Sequence, residues 1–429
     1  MDTAAVQRFA DADPSALLPP RHGFMAALDA SPTALDVLDL GSGRGLAVLA
    51  ADRGQLVAVP LVDEAGAVRR AVAGDGVWSA LLGAIGDGAA RGAFHAAPWG
   101  EVPAPSSGEE EAIAADHSND VAVVERGAVV KLYPRTAPGP QPGLELPAHL
   151  RAVGFDQMPA PLGALTWRGP DGDALLASAA AYLPGARDGW DWFVGAVLGA
   201  LDGERGWPTA DAAMIGGLTG SFHRSMAAPS HVLHSPVGEA EADSWLPGAE
   251  ATLAAALAET QGAEGERLRA VEARVRAVIA SLGEIGATPV LRIHGDLHVG
   301  QVLRWDGGDA LTDFDGNPLA PVTERTAPAP AARDVASMVR AVDHAVRICE
   351  RRRPGREADL RAWLREARSV FLETYRSALG EHLHLFDERL LGPLEVAQEC
   401  HEFVYAARYL PRWRYVPDLA LPDLLETLS

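Results

Sequence analysis

The sequence predicts an α+β protein whose strands come first and whose helices follow. Two observations carry this. Up to residue 182 the apolar residues fall in short runs broken by Gly and Pro; from 186 onward they recur at helical spacing. The expected domains are 1–100, 101–182 and 183–429. With 429 residues, 48% of them hydrophobic and 22% charged, the chain has the composition of a folded protein with two or three domains.

Leu46–Ala51 and Leu56–Val62 flank Asp52-Arg53-Gly54-Gln55, a plausible hairpin turn, and Val68–Ala73 continues the pattern. Residues Ala93–Gly108 are rich in Pro, Gly and Ser and end in Glu109-Glu110-Glu111, which reads as a linker with an acidic tip. A second β-rich block pairs Val121–Glu125 with Ala128–Tyr133 around Arg126-Gly127. A helix is expected over Leu144–Val153, with Leu146, Leu150 and Val153 on one face, and a buried strand over Ala174–Leu183. The helical part comprises Trp190–Leu201, Asp211–Ser225, Pro247–Gln261, Glu264–Leu282, Ala331–Arg353, Glu357–Ala378 and Leu394–Tyr409. Short strands and loops interrupt it at 287–321.

Charge and cysteine content narrow the function. Lys+Arg is 37 against Asp+Glu 58, a net charge of −21, which argues against a general nucleic-acid or anionic-membrane binder. Two cysteines exclude a disulfide framework and fit a reducing cytoplasm. The N-terminus is acidic without an apolar core, so no signal peptide is expected, and no apolar stretch is long enough for a membrane span. A monomer or weak homo-oligomer is expected. Every basic residue but one is arginine; Lys131 is the lone lysine. A compact ammonium can do what a planar guanidinium cannot.

Two motifs compete for the chemistry. Val37-Leu38-Asp39-Leu40-Gly41-Ser42-Gly43-Arg44-Gly45 resembles the cofactor loop of class I methyltransferases, with Asp63 placed as a ribose-binding acid. The following segment reads better as hairpin strands than as a crossover helix. A P-loop is excluded, because the only lysine lacks its glycine context; H-E-x-x-H and G-x-S-x-G are absent. The second motif is His294-Gly295-Asp296-Leu297-His298-Val299-Gly300-Gln301, followed by Asp313-Phe314-Asp315-Gly316-Asn317-Pro318. Two acids 17 residues apart, on loops between short strands, suit phosphoryl transfer. Asp296 would orient and deprotonate a hydroxyl, and Asp313, with the Gln301 amide oxygen, would hold Mg²⁺.

These residues resemble the catalytic and metal loops of the aminoglycoside-phosphotransferase-like branch of the protein-kinase fold. They look closest to actinobacterial maltokinases and their relatives, the actinobacterial glucosamine kinases. The wider family usually has Asn where Gln301 stands. The resemblance implies a bilobal kinase-like fold over 112–429, with 1–100 as an added N-terminal cap. It implies that Ser118-Asn119-Asp120 replaces the kinase glycine loop, with Ser118 and Asn119 on ATP. Lys131 would steady the phosphates and pair with Glu145. Ala180 and Tyr182 would offer the hinge backbone to adenine. Leu183–Trp190 resembles the maltokinase run after the hinge, and Asp334 would brace the catalytic loop.

The tail Glu399–Asp418 is dense in aromatic and acidic residues, which suits stacking on sugar faces and pairing with an amine. It resembles the glucosamine kinases. The implied acceptor is D-glucosamine, held by Asp296, His298, Glu402, Arg408 and Trp413, and phosphorylated by ATP to glucosamine 6-phosphate. A maltokinase, an aminoglycoside phosphotransferase or, from another class, an S-adenosylmethionine-dependent methyltransferase are the alternatives.

Overall fold

A computed structural model describes residues 1–18, 32–51, 54–88, 90–113 and 119–428. The chain forms two compact units. The first comprises Met1–Arg151 and Pro159–Pro184, the second Ala152–Met158 and Gly185–Ser429.

The first unit opens with α1 (Thr3–Ala12), followed by β1 (Thr33–Gly41), β2 (Arg44–Ala50), β3 (Leu56–Glu64) and β4 (Ala67–Arg70). Next come α2 (Val77–Asp87), β5 (Ala90–Arg91), β6 (Phe94–Pro98), β7 (Glu110–Ala112), β8 (Asp120–Val124), β9 (Ala128–Leu132) and β10 (Arg135–Thr136). The unit closes with α3 (Pro142–Ala152), β11 (Pro161–Gly169) and β12 (Gly172–Ala181). One sheet runs β1-β2-β3-β10, with β4 also on β3; the other runs β5-β6-β11-β12-β9-β8-β7. Every pairing is antiparallel.

The glycine run of β1 is a hairpin turn. Gly41 pairs with Arg44, and Ser42 and Gly43 both have positive φ (54° and 76°), the geometry of a type I′ turn. Asp63 accepts the Gly66 N–H (2.7 Å) and so shapes the next turn. No helix follows β1, so the methyltransferase reading fails on its own motif. Leu46–Ala51 and Leu56–Val62 do pair as expected; Asp52 and Arg53, expected in the turn between them, lie outside the described residues.

The expected break at residue 100 is not a boundary. Leu46 and Val48 of the first sheet, Trp78, Leu81 and Ile85 of α2, and Val130, Leu165 and Leu176 of the second sheet share one buried core. The stretch read as a linker begins with β6, which pairs along β11. Its acidic tip has a defined task. Gly76 caps α2 with no side chain of its own, and Glu110, from β7, accepts the Gly74, Gly76 and Ser79 N–H groups at 2.9, 3.0 and 2.7 Å. A carboxylate thus satisfies the orphan donors of a helix start distant in sequence.

The second unit contains α4 (Gly189–Leu201), α5 (Thr209–Met226), β13 (Val237–Glu241), α6 (Leu246–Glu259), α7 (Gly262–Ala280) and β14 (Ala287–Leu291). It continues with β15 (Val302–Trp305), β16 (Gly308–Leu311), α8 (Val322–Arg325), α9 (Ala331–Arg352), α10 (Glu357–Leu379), α11 (Leu391–Arg408) and α12 (Tyr415–Thr427). Each expected helix is present to within three residues at either end, whereas α1, α2, α8 and α12 were not expected. Among the described residues no helix is long and apolar enough to cross a membrane. Both cysteines are buried free thiols.

A buried ionic cluster binds α9, α10 and α11 together. Arg340 reaches Asp343 (2.7 Å) and Glu395 (3.2 Å), and Arg347 reaches Asp343 (2.9 Å) and Asp423 of α12 (2.7 Å). Arg368 of α10 also binds Glu395 (2.8 Å). Charges this deep survive only because each finds an opposite charge in hydrogen-bonding geometry.

The capping role of Glu110 yields a prediction. Glu110→Ala should lower stability by about 1–2 kcal/mol, read by denaturant unfolding. Glu109→Ala, at the exposed neighbour, should leave the midpoint unchanged.

Candidate active site

The catalytic-type loop leaves β14 and is held by a single carboxylate. Asp334, in the first turn of α9 and almost fully buried, accepts the His294 N–H (2.8 Å) and the Gly295 N–H (3.0 Å). Nε2 of His223 lies 3.1 Å from the same carboxylate, and the other ring nitrogen lies 2.9 Å from the Tyr375 hydroxyl. Burial raises the Asp334 pKa, but these partners outweigh it and hold the carboxyl below its usual range. His294 Nε2 donates to the Thr312 carbonyl (2.9 Å), and its ring meets Phe314 at 5.3 Å.

The loop presents Asp296 half-buried. Burial pushes its carboxyl up to about 6; the Asp313 and Glu402 charges act in the same direction, while His294 and His401 oppose them. A carboxylate poised near 6 is a stronger base than a solvated one and still ionised at neutral pH.

The hairpin β15–β16 brings the metal-type residues together. Val302 pairs with Leu311, and the Thr312 N–H donates to the Gln301 carbonyl (3.0 Å), so Gln301 stands beside the residue before Asp313. Asp313 has φ 64°, a left-handed conformation that Asp tolerates better than most residues. An amide oxygen and a carboxylate are hard donors that suit Mg²⁺, with the other positions left to phosphate and water. Among the described residues no group of three or more His, Cys, Asp or Glu could hold an ion unaided.

His298 lies between this pair and the tail. Its Nδ1 accepts the Gly300 N–H (3.1 Å), and its Nε2 lies 3.4 Å from Nε2 of the Gln301 amide. Burial, ahead of all else, depresses its pKa, so the ring stays neutral. His298 stacks on Trp190 (5.9 Å, 29°), and Trp190 meets Trp413 edge-on (5.8 Å, 85°). Trp413 also meets His344 at 6.4 Å, and His344 Nε2 lies 2.9 Å from Glu399. Glu402 is held by Gln398, whose Nε2 donates to Oε1 (3.0 Å), and its charge acts on Asp296, His298 and His344 alike.

Arg408 does not join them. It is exposed and makes a double hydrogen bond to Glu259 of α6 (2.6 and 2.5 Å). Six residues past Glu402 a helix has turned about 240°, so the two side chains leave on different flanks. Trp190, His344, Glu399 and Gln398 were not expected at the site. Their signal was available only as aromatic and acidic density around an otherwise ordinary helix.

The nucleotide-type residues belong to the first unit. Lys131 sits mid-sheet on β9, opposite Val121 on β8 and Ser178 on β12, with its Nζ 5.5 Å from the centre of the Tyr133 ring. Glu145 lies in the first turn of α3. Asn119 immediately precedes β8, and Ser118 lies outside the described residues. Ala180 is paired in β12 with Val129. Tyr182 donates its N–H to the Gly127 carbonyl (3.2 Å), so only its carbonyl remains for a hinge contact.

No protein-family model matches the chain. A glucosamine kinase from Streptacidiphilus jiangxiensis is 41% identical over 430 residues, covering 97% of each chain. The chain belongs to the glucosamine kinase family. A second glucosamine kinase, from Mycolicibacterium smegmatis, is 38% identical over 91% of this chain and 98% of its own. Among solved structures, a glucosamine kinase in complex with glucosamine, ADP and inorganic phosphate superposes with TM-score 0.81 at 38% identity, covering 99% of both chains. Another crystal form gives TM-score 0.84 at 39% identity over 97% of this chain and 98% of that one. The α+β architecture is therefore that of the glucosamine kinases along nearly the full chain.

The carboxylate brace is testable. Asp334→Asn turns an amide nitrogen toward a backbone N–H and should cost about 1–3 kcal/mol. Thermal unfolding should show the loss, and kcat should fall with it.

Proposed function

We propose that this chain is an ATP-dependent glucosamine kinase that transfers the γ-phosphoryl group to the 6-hydroxyl of D-glucosamine, giving ADP and glucosamine 6-phosphate. The observation that best supports the acceptor is the reach of the Glu402 charge to both Asp296 and His298. A carboxylate whose charge reaches the base suits an ammonium-bearing sugar. Full-length similarity to two glucosamine kinases supports the same reading.

Asp296 accepts the proton of the hydroxyl as its oxygen attacks. The carboxyl takes that proton readily because burial has already raised its affinity for it. Gln301 and Asp313 would hold Mg²⁺, which, when bound, offsets charge on the phosphoryl oxygens. Lys131, paired with Glu145, steadies the phosphates, and Asn119 with Ser118 closes over them. The carbonyl of Tyr182 and the backbone at Ala180 serve the adenine. Glu402 takes the amine, Trp413 packs on the sugar ring and His298 contacts it. Catalysis on this reading is positioning and electrostatics, without a covalent intermediate. The enzyme acts as a monomer or weak homo-oligomer in the cytoplasm.

An ADP-release assay over glucosamine, glucose, maltose and kanamycin tests the acceptor. Glucosamine should lead, and a preference for maltose or kanamycin would overturn the assignment. Glu402→Gln should raise KM for glucosamine by about tenfold, the scale of a lost charge-assisted contact, and leave glucose almost unaffected. Equal losses on both sugars would reject the amine contact.

The raised Asp296 pKa fixes a pH dependence. Activity should fall as pH drops through about 6, where the base takes up its proton. Asp296→Asn should abolish turnover yet retain nucleotide binding. Its stability should also change with a definite sign. A carboxyl whose folded pKa exceeds its unfolded one opposes folding at high pH. The Asn variant should therefore melt higher than wild type at pH 8, and the difference should vanish near pH 4 and below.

A further inference from the structure

The segment after the hinge motif, Arg187–Trp192, carries no group in the phosphoryl transfer above, yet it is fastened to the end of the catalytic loop and to β15. Arg187 and Arg304 exchange backbone hydrogen bonds at 2.9 Å, and Trp192 Nε1 donates to the Val302 carbonyl (2.9 Å). A Cβ on Gly189 would stand 1.7 Å from the Val299 carbonyl oxygen. One on Gly300 would stand 2.6 Å from Trp190 Nε1 and 2.8 Å from His298 Cε1. Two glycines thus permit α4 to seat its first turn on the loop, with the Trp190 indole laid against the His298 ring.

Proton accounting shows what that ring controls. His298 Nδ1 accepts from Gly300, so the proton of the neutral imidazole is on Nε2. Gln301 Nε2 stands 3.4 Å from it, donor against donor, so we assign the amide in its flipped orientation, which exchanges its nitrogen and oxygen and brings Oε1 to the ring N–H. One lone pair of Oε1 takes the ring N–H, and the second is aimed by that bond. A histidine that donates to a ligating oxygen is the kind of outer contact that sets a metal ligand's orientation.

We infer that Trp190 is a positioning residue: clamped between Trp413 and His298, its indole fixes the imidazole that orients the Gln301 amide, so the acceptor wall and the metal-ligand oxygen are set by one ring stack. The inference rests on the proposed roles of Gln301 and Trp413. It adds that the two sites are mechanically joined within the second unit.

The test uses the full-length protein. Mn²⁺ binding in the presence of ADP and absence of sugar is measured by electron paramagnetic resonance, alongside KM for glucosamine and thermal unfolding. Trp190→Ala should weaken Mn²⁺ binding about tenfold and raise KM for glucosamine, while ADP affinity without divalent ion stays at the wild-type value. Trp190→Phe, which keeps a π face, should restore both. Wild-type Mn²⁺ affinity in Trp190→Ala, whatever happens to melting temperature or kcat, would overturn the inference by reducing Trp190 to packing. Should that variant fail to fold, Trp190→Leu keeps apolar volume without a π face and carries the same test. Failure of the glucosamine kinase reading is seen separately, as wild-type enzyme inactive on glucosamine.

Discussion

The contact on which the site depends is the Asp334 carboxylate seated under two backbone N–H groups of the catalytic loop. Loop backbone has no ladder to hold it, so its shape must be imposed by a side chain. Asp334 does this from the start of a helix, where the helix dipole favours a negative charge. His223 and Tyr375 complete the arrangement from α5 and α10. The backbone that leads into Asp296 is therefore held by side chains of three helices outside the loop.

The same helix, α9, carries the second constraint. Ten residues on from Asp334, about 15 Å along the axis, His344 meets Glu399 of α11 and the ring of Trp413. Arg340, within that interval, and Arg347, just beyond it, tie the helix to α11 and α12. Burial disfavours the charged form of His344, yet Glu399 and its neighbours raise its pKa overall. Ion clusters of this depth contribute little net stability, but they discriminate strongly between arrangements, because a shifted helix would strand a charge.

The sequence showed much of this frame directly. Helical spacing located each expected helix of the second unit, because long amphipathic segments advertise their period. His294–Gln301 and Asp313–Pro318 were readable because their spacing is rigid in a loop. Other features were hidden for physical reasons. The stripe Arg340, Asp343, His344 and Arg347 looks like a solvated face, since periodicity registers polarity and not the charges that cover it. Residues 93–108 looked like a linker because β6 is short and its partner β11 lies far away in sequence. Glu110 looked like an acidic tip because a helix start capped from another strand leaves no local signature. Arg408 looked like a site residue by proximity in sequence alone, and the turn of α11 carries it away.

Asp334 and His344 stand on one rod, with the loop fastened to its first turn and α11 to its middle. The lone lysine and its neighbours belong to a different compact unit. On the proposed roles, the lysine that steadies the phosphates lies in one module, and the metal-type residues and the acceptor wall lie in the other. Substitutions along α11 then leave Lys131 and its neighbours in their own unit, whereas a change at Trp413 reaches Gln301 through Trp190 and His298. Such a division bears on how the scaffold can change: on the proposed roles, edits confined to α11 away from the ring stack alter the wall alone, and edits to the stack alter wall and metal-type residues together.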